Sequence, residues 1–498
     1  MFRLVFLVFL CQSVAGRRNV LFLVADDMRP DIEAFGQADG IVRPKMHTPN
    51  LDRLAGRSLL LKQAHVQQAL CGPSRTSLLT SRRPDTTRVY DCKTYWRSSG
   101  GNFTTLPQYF KENGYRTIGV GKIYHGGKAS NNNDPMSWTD PYLDSPDKYK
   151  KDKLLMNAVS QKRLDKQPLQ DTLIADQAIE VLRDAAPKAK AGKQPFFLAV
   201  GFRKPHIPWT FPDRFLKHYP LEDIPIPDNY YASPDMSKIA WHTYRNMGNF
   251  KDVKAYKLTG VGSFNFTFPP MLTRRLRQAY YSAVTATDFE LGRVISELDR
   301  LGLSKDTVIS FWGDHGWQLG EHAEWQKQTN FDLSTHAPMM LSIPGKTDRG
   351  IVSEELVEFV DLFPTLVDAV GIPKLKTCPQ SSKKVRLCTE GTSFLSLVDN
   401  PKQWLKNAVF SQYPSQVKGL MGYTLRTKRH RYTEWVPFVG KSRNSRRPMF
   451  GKVKTAELYD HQVDPAENVN LAYKQSMKNL RQRLKMKLRK GWRAATRQ

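Results

Sequence analysis

Four apolar runs in this chain each stop abruptly on ionisable residues. Residues 19–25 (NVLFLVA) run into Asp26 and Asp27, and 116–121 (RTIGVG) into Lys122 and His125. Residues 195–201 (PFFLAVG) lead to Lys204 and His206, and 307–312 (TVISFW) to Asp314 and His315. Runs this short and apolar on both faces read as buried strands of a parallel sheet. A fifth candidate is 338–343 (PMMLSI), and helical patterns fall at 51–58, 106–113, 171–185, 274–301 and 357–370. Strands alternating with helices predict an α/β fold. If the four strands are parallel, their terminal ionisable groups gather at one rim, where open α/β sheets bind ligands.

Asp26 and Asp27 at one strand end and Asp314 at another would repel each other without a cation. Oxygen ligands in this number suit Ca²⁺ or Mg²⁺; a zinc site would draw on more His or Cys. Residues 69–84 (ALCGPSRTSLLTSRRP) add a thiol to this chemistry. Cys71 precedes Gly72 and Pro73 at a predicted helix start, with Ser74 and Thr76 suited to an N-terminus and Leu78 and Leu79 supplying an apolar side. Unpaired N–H groups, the helix dipole and Arg75 would attract anions there and lower a thiol pKa.

Residues 1–16 carry Arg3, an apolar run at 4–10 and the small residues Ser13 and Ala15, the pattern of a secretory leader too short to span a bilayer. No later segment is long and apolar enough to cross one. Removal of the leader takes Cys11 and leaves Cys71, Cys92, Cys378 and Cys388. Cys378 and Cys388 bracket a short basic loop and read as a local disulfide. Cys71 and Cys92 could pair, but the context of Cys71 argues against it. Asn102 and Asn265 head glycosylation triplets. The net charge of +29 favours a polyanionic partner, and the leader argues against nucleic acid. Residues 474–497 hold ten basic and no acidic side chains, with Met477, Leu480, Leu484 and Leu488 at helical spacing. That tail reads either as a polyanion-binding amphipathic helix or as a solvated helix packed by its leucines.

Cys-Gly-Pro-Ser-Arg at 71–75 resembles the type I sulfatase signature. Further matches run in order: VADDMRP (24–30), TPNLDRLA (48–55), GYRTIGVGK (114–122), GDHGWQLGEH (313–322) and ELYDHQVDPAEN (457–468). Within that family, SRRPDTTRVYD (81–91), LPQYFKENGY (106–115), Lys122-x-x-His125, FFLAVGFRKPHIPW (196–209), EWQKQTNFD (324–332) and MGYTLRT (421–427) resemble the iduronate 2-sulfatase branch. Residues 128–166 depart from it, being lysine-rich and lacking an expected cysteine pair.

The resemblance implies an alkaline-phosphatase-like α/β/α sandwich over 17–400 and a smaller C-terminal α+β domain over 401–498, with candidate strands at 420–427 and 430–436. It implies that a formylglycine-generating enzyme oxidises Cys71 during secretion, and that the hydrated aldehyde attacks sulfur with one Ca²⁺ per subunit. Asp26, Asp27, Asp314 and His315 would hold the cation with residue 71. Arg75 would hold the hydrated aldehyde, and Lys122 and Lys327 the sulfate oxygens. His125 would be the base, and His206, with Lys327, would protonate the leaving oxygen. Trp209, Trp317 and His322 are candidates for shaping a sugar pocket. The implied reaction removes the 2-O-sulfate from non-reducing-end iduronate of heparan or dermatan sulfate, in the lysosome or outside the cell. The alternatives are another glycosaminoglycan exo-sulfatase or an arylsulfatase, a phosphoesterase of the same fold, and a glycosaminoglycan-binding protein without turnover.

Overall fold

The structure, a computed structural model, describes residues 16–36 and 41–496; the leader expected over 1–16 lies outside them but for Gly16. Seven strands form the main sheet: β1 (Asn19–Asp26), β2 (Leu59–His65), β3 (Arg116–Gly121), β4 (Phe196–Pro205), β5 (Thr307–Gly313), β6 (Met339–Ser342) and β7 (Ile351–Glu358). Their order is β7-β2-β6-β5-β1-β4-β3. β1 lies at the heart of the sheet, parallel to β4 on one side and β5 on the other, and β3 is parallel to β4. The four strands that end on ionisable residues therefore point the same way.

Strand β1 explains the continuous apolar run. Val20, Phe22 and Val24 enter one core layer and Leu21, Leu23 and Ala25 the other, so every residue is buried. The first layer is shared with α2 (Cys71–Thr80), α3 (Leu106–Glu112) and α6 (Leu362–Val370). The second is closed by α1 (Pro49–Ala55), α4 (Gln170–Lys190) and α5 (Pro270–Arg300). The result is the expected α/β/α sandwich.

Two strands were invisible to the apolar-run reading. β2 carries Lys62 and Gln63, and β7, at the sheet edge, exposes Val352 and Glu354, so neither is uniformly apolar. Residues 357–358 close β7, and the helix expected over 357–370 begins at Leu362 after a short 3₁₀ turn. The fifth candidate strand, β6, runs antiparallel to both β2 and β5.

A second, antiparallel sheet contains β8 (Val409–Pro414), β9 (Leu420–Arg426), β10 (His430–Val439), β11 (Arg447–Pro448) and β12 (Thr455–Asp460). Leu484 and Leu488 of α7 (Lys478–Lys490) pack on its Leu425, Tyr432 and Leu458. A buried charged cluster fixes this unit to the sandwich: Glu358 accepts from both terminal nitrogens of Arg83 (2.7 and 2.6 Å), from Lys406 (3.0 Å) and from the Phe410 N–H (2.9 Å). β8 also docks on the segment leading into α2, through the Gln412 N–H to Gln67 O (2.8 Å) and Ser411 Oγ to Val66 O (2.6 Å). Cys378 and Cys388 form the expected disulfide, while Cys71 and Cys92 are free thiols. No helix among the described residues is long and apolar enough to cross a membrane.

Candidate active site

Strand direction and the α2 N-terminus bring ten of the thirteen sequence-selected residues to the carboxyl rim of the sheet. Asp26 ends β1, and Asp27 follows in a left-handed conformation (φ 61°) that turns its side chain toward Asp314. The Asp27 N–H donates to Asp314 Oδ1 at 2.9 Å, so the ends of β1 and β5 are tied by a buried bond. Cys71 is the first residue of α2, a helix buried on every side. Its Sγ lies 3.4 Å from His315 Nε2, 3.6 Å from Lys327 Nζ and 3.8 Å from Asp27 Oδ1.

Arg75, one helical turn on, is fully buried beneath this group. Its Nε donates to Asp314 Oδ2 (2.8 Å), one terminal nitrogen to Asp26 Oδ1 (3.1 Å) and the other to the carbonyls of Lys122 and Ile123 (3.1 Å for the latter). Ser74 adds a hydroxyl bond to the Asp314 carbonyl. Lys122 pairs with Asp26, and Lys327 pairs with Asp27 at 2.5 Å while its ammonium stands 5.0 Å from the Trp317 ring centre. The buried centre thus holds three carboxylates against three cations, Arg75, Lys122 and Lys327.

Electrostatics divide these groups. Attraction from Lys122, His206 and Arg75 overcomes burial and holds Asp26 well below the carboxylate range. Burial, with Asp26 and Asp314 nearby, pushes Asp27 up to about 7 despite Lys327. Burial also lowers His315 to about 4, so its ring is neutral. Its Nδ1 faces Gly316 O at 2.9 Å and carries the proton, which turns the Nε2 lone pair toward Asp27 Oδ1 (3.3 Å) and Asp314 Oδ1 (3.5 Å). That lone pair and the carboxylate oxygens converge as electron donors on one point, an arrangement that a cation between them would satisfy. Asp27 Oδ2 is likewise buried without a hydrogen-bond partner. One ligand atom each from Asp27, Cys71, Asp314 and His315 lies within 4.8 Å of the others, and Asp26, Asp27, Cys71 and His206 form an overlapping group. The donor set therefore fits a hard divalent cation.

The Cys71 thiol behaves opposite to the sequence expectation. Burial, helped by Asp26 and Asp314, raises its pKa well above the usual value, outweighing the helix N-terminus and the lysines. As a thiol it is a poor nucleophile. His125 is lowered to about 4, by burial and then by Lys122, and its Nδ1 has no partner. His206 is pushed well below the usual range by burial and Lys327; its Nε2 lies 3.7 Å from Asp27 Oδ2 and about a third of the side chain (35%) is exposed.

Three weaker candidates have packing roles here. Trp209 is buried in the core against Tyr280, and His322 stacks on Phe331 and meets Asn229, away from Cys71. Trp317 is buried and acts on the site only through its face against Lys327. Sequence reasoning missed Tyr413, a buried phenol of β8 that burial, with Cys92 and Cys71 nearby, holds well above the usual tyrosine range against the charge of Lys327. Cys92, weighed in the sequence as a partner for Cys71, is a free thiol whose backbone packs against Gly72. No local signal marks Tyr413, because it reaches the site from the second sheet.

Proteins similar to this chain include sulfatases. The sulfatase family pattern matches residues 18–372, and that of the N-sulphoglucosamine sulphohydrolase C-terminal region matches 320–494. Iduronate 2-sulfatase of Mus musculus is 38% identical over 92% of this chain and 92% of its own length; that of Homo sapiens is 37% identical with the same coverage. The solved structure of BT4656 with its substrate D-glucosamine-2-N,6-O-disulfate superposes with a TM-score of 0.72 at 19% identity, covering 96% of this chain and 98% of that one.

Proposed function

The chain belongs to the sulfatase family, whose members hydrolyse sulfate esters, and on that premise we propose that it removes the 2-O-sulfate from non-reducing-end iduronate of heparan or dermatan sulfate. The observation that carries this reading is the buried centre of three carboxylates and three cations built around residue 71 at the start of α2. A sulfate monoester screens its sulfur with anionic oxygens, and a site that attacks it must first offset that charge.

Asp26, Asp27, Asp314 and His315 would hold a Ca²⁺ ion, and residue 71 would be formylglycine, installed by a formylglycine-generating enzyme in the secretory pathway. When bound and installed, these two groups supply charge neutralisation and an activated oxygen. The remaining work falls to the chain's own side chains. Arg75 fixes Asp26 and Asp314 in one orientation through a rigid fork. Lys122 and Lys327 present compact positive charge on either side of residue 71 and receive sulfate oxygens. His125, neutral and with a free ring nitrogen, accepts a proton. His206, neutral in this structure and partly exposed, would take up a proton and hand it to the departing sugar oxygen, with the Lys327 ammonium beside the same carboxylate, Asp27. The leader and the two glycosylation triplets, whose Asn102 and Asn265 are exposed, support a lysosomal or secreted location.

The deciding experiment is disaccharide analysis of heparan sulfate before and after treatment with the purified protein. Loss of iduronate 2-O-sulfate only from non-reducing ends, with glucosamine 6-O- and N-sulfates retained, is the expected outcome. Faster release of 6-O-sulfate would move the chain to another exo-sulfatase specificity.

A further inference from the structure

The second sheet carries far more positive charge than folding explains. Helix α7 (KNLRQRLKMKLRK) buries Leu484 and Leu488 on that sheet and packs Leu480 partly against it, leaving Met486 exposed, so its leucine face is accounted for by packing. Its other side is not. Lys478, Arg483 and Lys490 are exposed and Lys485 and Lys487 half-buried, and none has a carboxylate within ion-pair distance among the described residues. Like charges recur four residues apart (Arg481 and Lys485, Arg483 and Lys487, Lys485 and Arg489), which destabilises a helix, and cations crowd an N-terminus whose dipole disfavours them. Among the described residues only Arg489 of this helix pairs with an acid, Glu434 at 3.0 Å.

The charge continues toward the catalytic centre. Arg489 also donates to Phe450 O (2.7 Å), just beyond the β10–β11 hairpin, where Lys441, Arg446 and Arg447 are exposed. The hairpin is held to the sandwich by Arg88, which donates to Arg446 O at 2.8 Å. Its tip forms one wall of an open cleft of about 430 Å³ lined by Lys93, Thr94, Ser99, Lys128, Ser442 and Asn444, with no carboxylate among the lining residues. Two of its lining lysines stand on chain segments that lead out of the active site. Lys93 follows Cys92, whose backbone packs against Gly72 beside Cys71, and Lys128 lies three residues after His125.

We propose that the cleft, the β10–β11 hairpin and α7 form one cationic track that holds the uncut length of a sulfated polysaccharide while its terminal unit occupies the catalytic centre. Free ammonium and guanidinium groups bind sulfates and carboxylates, and the cleft's hydroxyls and amide suit sugar hydroxyls. From Lys478 to Lys490 the helix alone spans about 18 Å at 1.5 Å per residue, enough to meet several charged groups of an extended chain. A bilayer fits less well, since Leu484 and Leu488, which would have to insert, are already buried. The catalytic consequence rests on the function proposed above; the binding surface does not.

The test uses the full-length protein and two sets of substitutions: Lys441→Gln, Arg446→Gln and Arg447→Gln in the hairpin, and Lys478→Gln, Arg483→Gln, Lys485→Gln and Lys490→Gln in α7. On immobilised heparin each set should lower the eluting salt, and the combination should lower it further. The ratio of kcat/KM on long heparan chains to kcat/KM on a disaccharide should fall roughly tenfold or more in the combined variant, the scale on which a second attachment raises effective concentration. Thermal midpoints should stay level or rise, because mutually repelling charges have been removed. Unchanged heparin elution overturns the track, as does parental binding to phosphatidylserine vesicles or duplex DNA as tight as to heparin at the same salt. Charge-dependent heparin retention without turnover of any iduronate 2-O-sulfate would support the track and sink the proposed substrate bond instead.

Discussion

Arg75→Ala should expose how the active site holds its carboxylates together. The guanidinium is fully buried, and two of its nitrogens meet Asp314 Oδ2 at 2.8 Å and Asp26 Oδ1 at 3.1 Å, with neither acid more than 1% exposed. Truncation leaves these carboxylates and two backbone carbonyls without that partner and tips three acids and three bases to three against two. Removing one member of a buried pair costs about 3–5 kcal/mol. Against a total stability on the order of 5–15 kcal/mol, about 4 kcal/mol is a large fraction. Urea unfolding in EDTA, followed by tryptophan fluorescence, measures it. Two further results follow from the same reasoning. Adding Asp314→Asn should recover at least about 1 kcal/mol, since contacting charges couple by roughly 0.5–3 kcal/mol. Excess Ca²⁺ should stabilise Arg75→Ala more than the parent, because the cation replaces missing positive charge. If Arg75→Ala in EDTA stays within about 1 kcal/mol of the parent, or the two losses simply add, the balanced-cluster argument is wrong.

Asp314→Asn alone removes a carboxylate from the candidate cation site and should weaken Ca²⁺ binding, read by titration calorimetry, by more than the roughly 10–100-fold typical of groups that only orient a ligand. Calcium affinity equal to the parent's would place the cation elsewhere. His65 predicts an acid limb. Burial outweighs Asp332 (3.8 Å) and lowers His65 from 6.5 to about 3, so the unfolded chain takes up a proton that the folded chain refuses. Stability attributable to it is complete above pH 6.5, falls as pH drops below that value at up to about 1.4 kcal/mol per unit, and levels off near pH 3. His65→Gln should therefore lose about 2 kcal/mol less than the parent between pH 6.5 and 5 in unfolding titrations; parallel curves would refute it.

Much of this protein is written in short stretches. NVLFLVA fixes a strand buried on both faces, and the Asp pair at its end falls at the ligand-binding rim because parallel strands share one direction. The Cys-Gly-Pro-Ser-Arg turn starts a helix as read, and one helical turn places Arg75 beneath residue 71. The leucine spacing of the tail foretold the face that packs. Other properties depend on what surrounds a residue. β2 and β7 escaped notice because a strand's stability lies in its neighbours, and polar residues at an edge carry no period. The Cys71 pKa moved up rather than down because desolvation is set by every element packed around α2, whereas the helix dipole is local. Tyr413 joined the site because β8 docks on the segment before Cys71, a contact no spacing along the chain encodes. Local pattern therefore determined which groups reach the rim, and tertiary packing decided their charge states, since both burial and Coulomb attraction act through space rather than along the sequence.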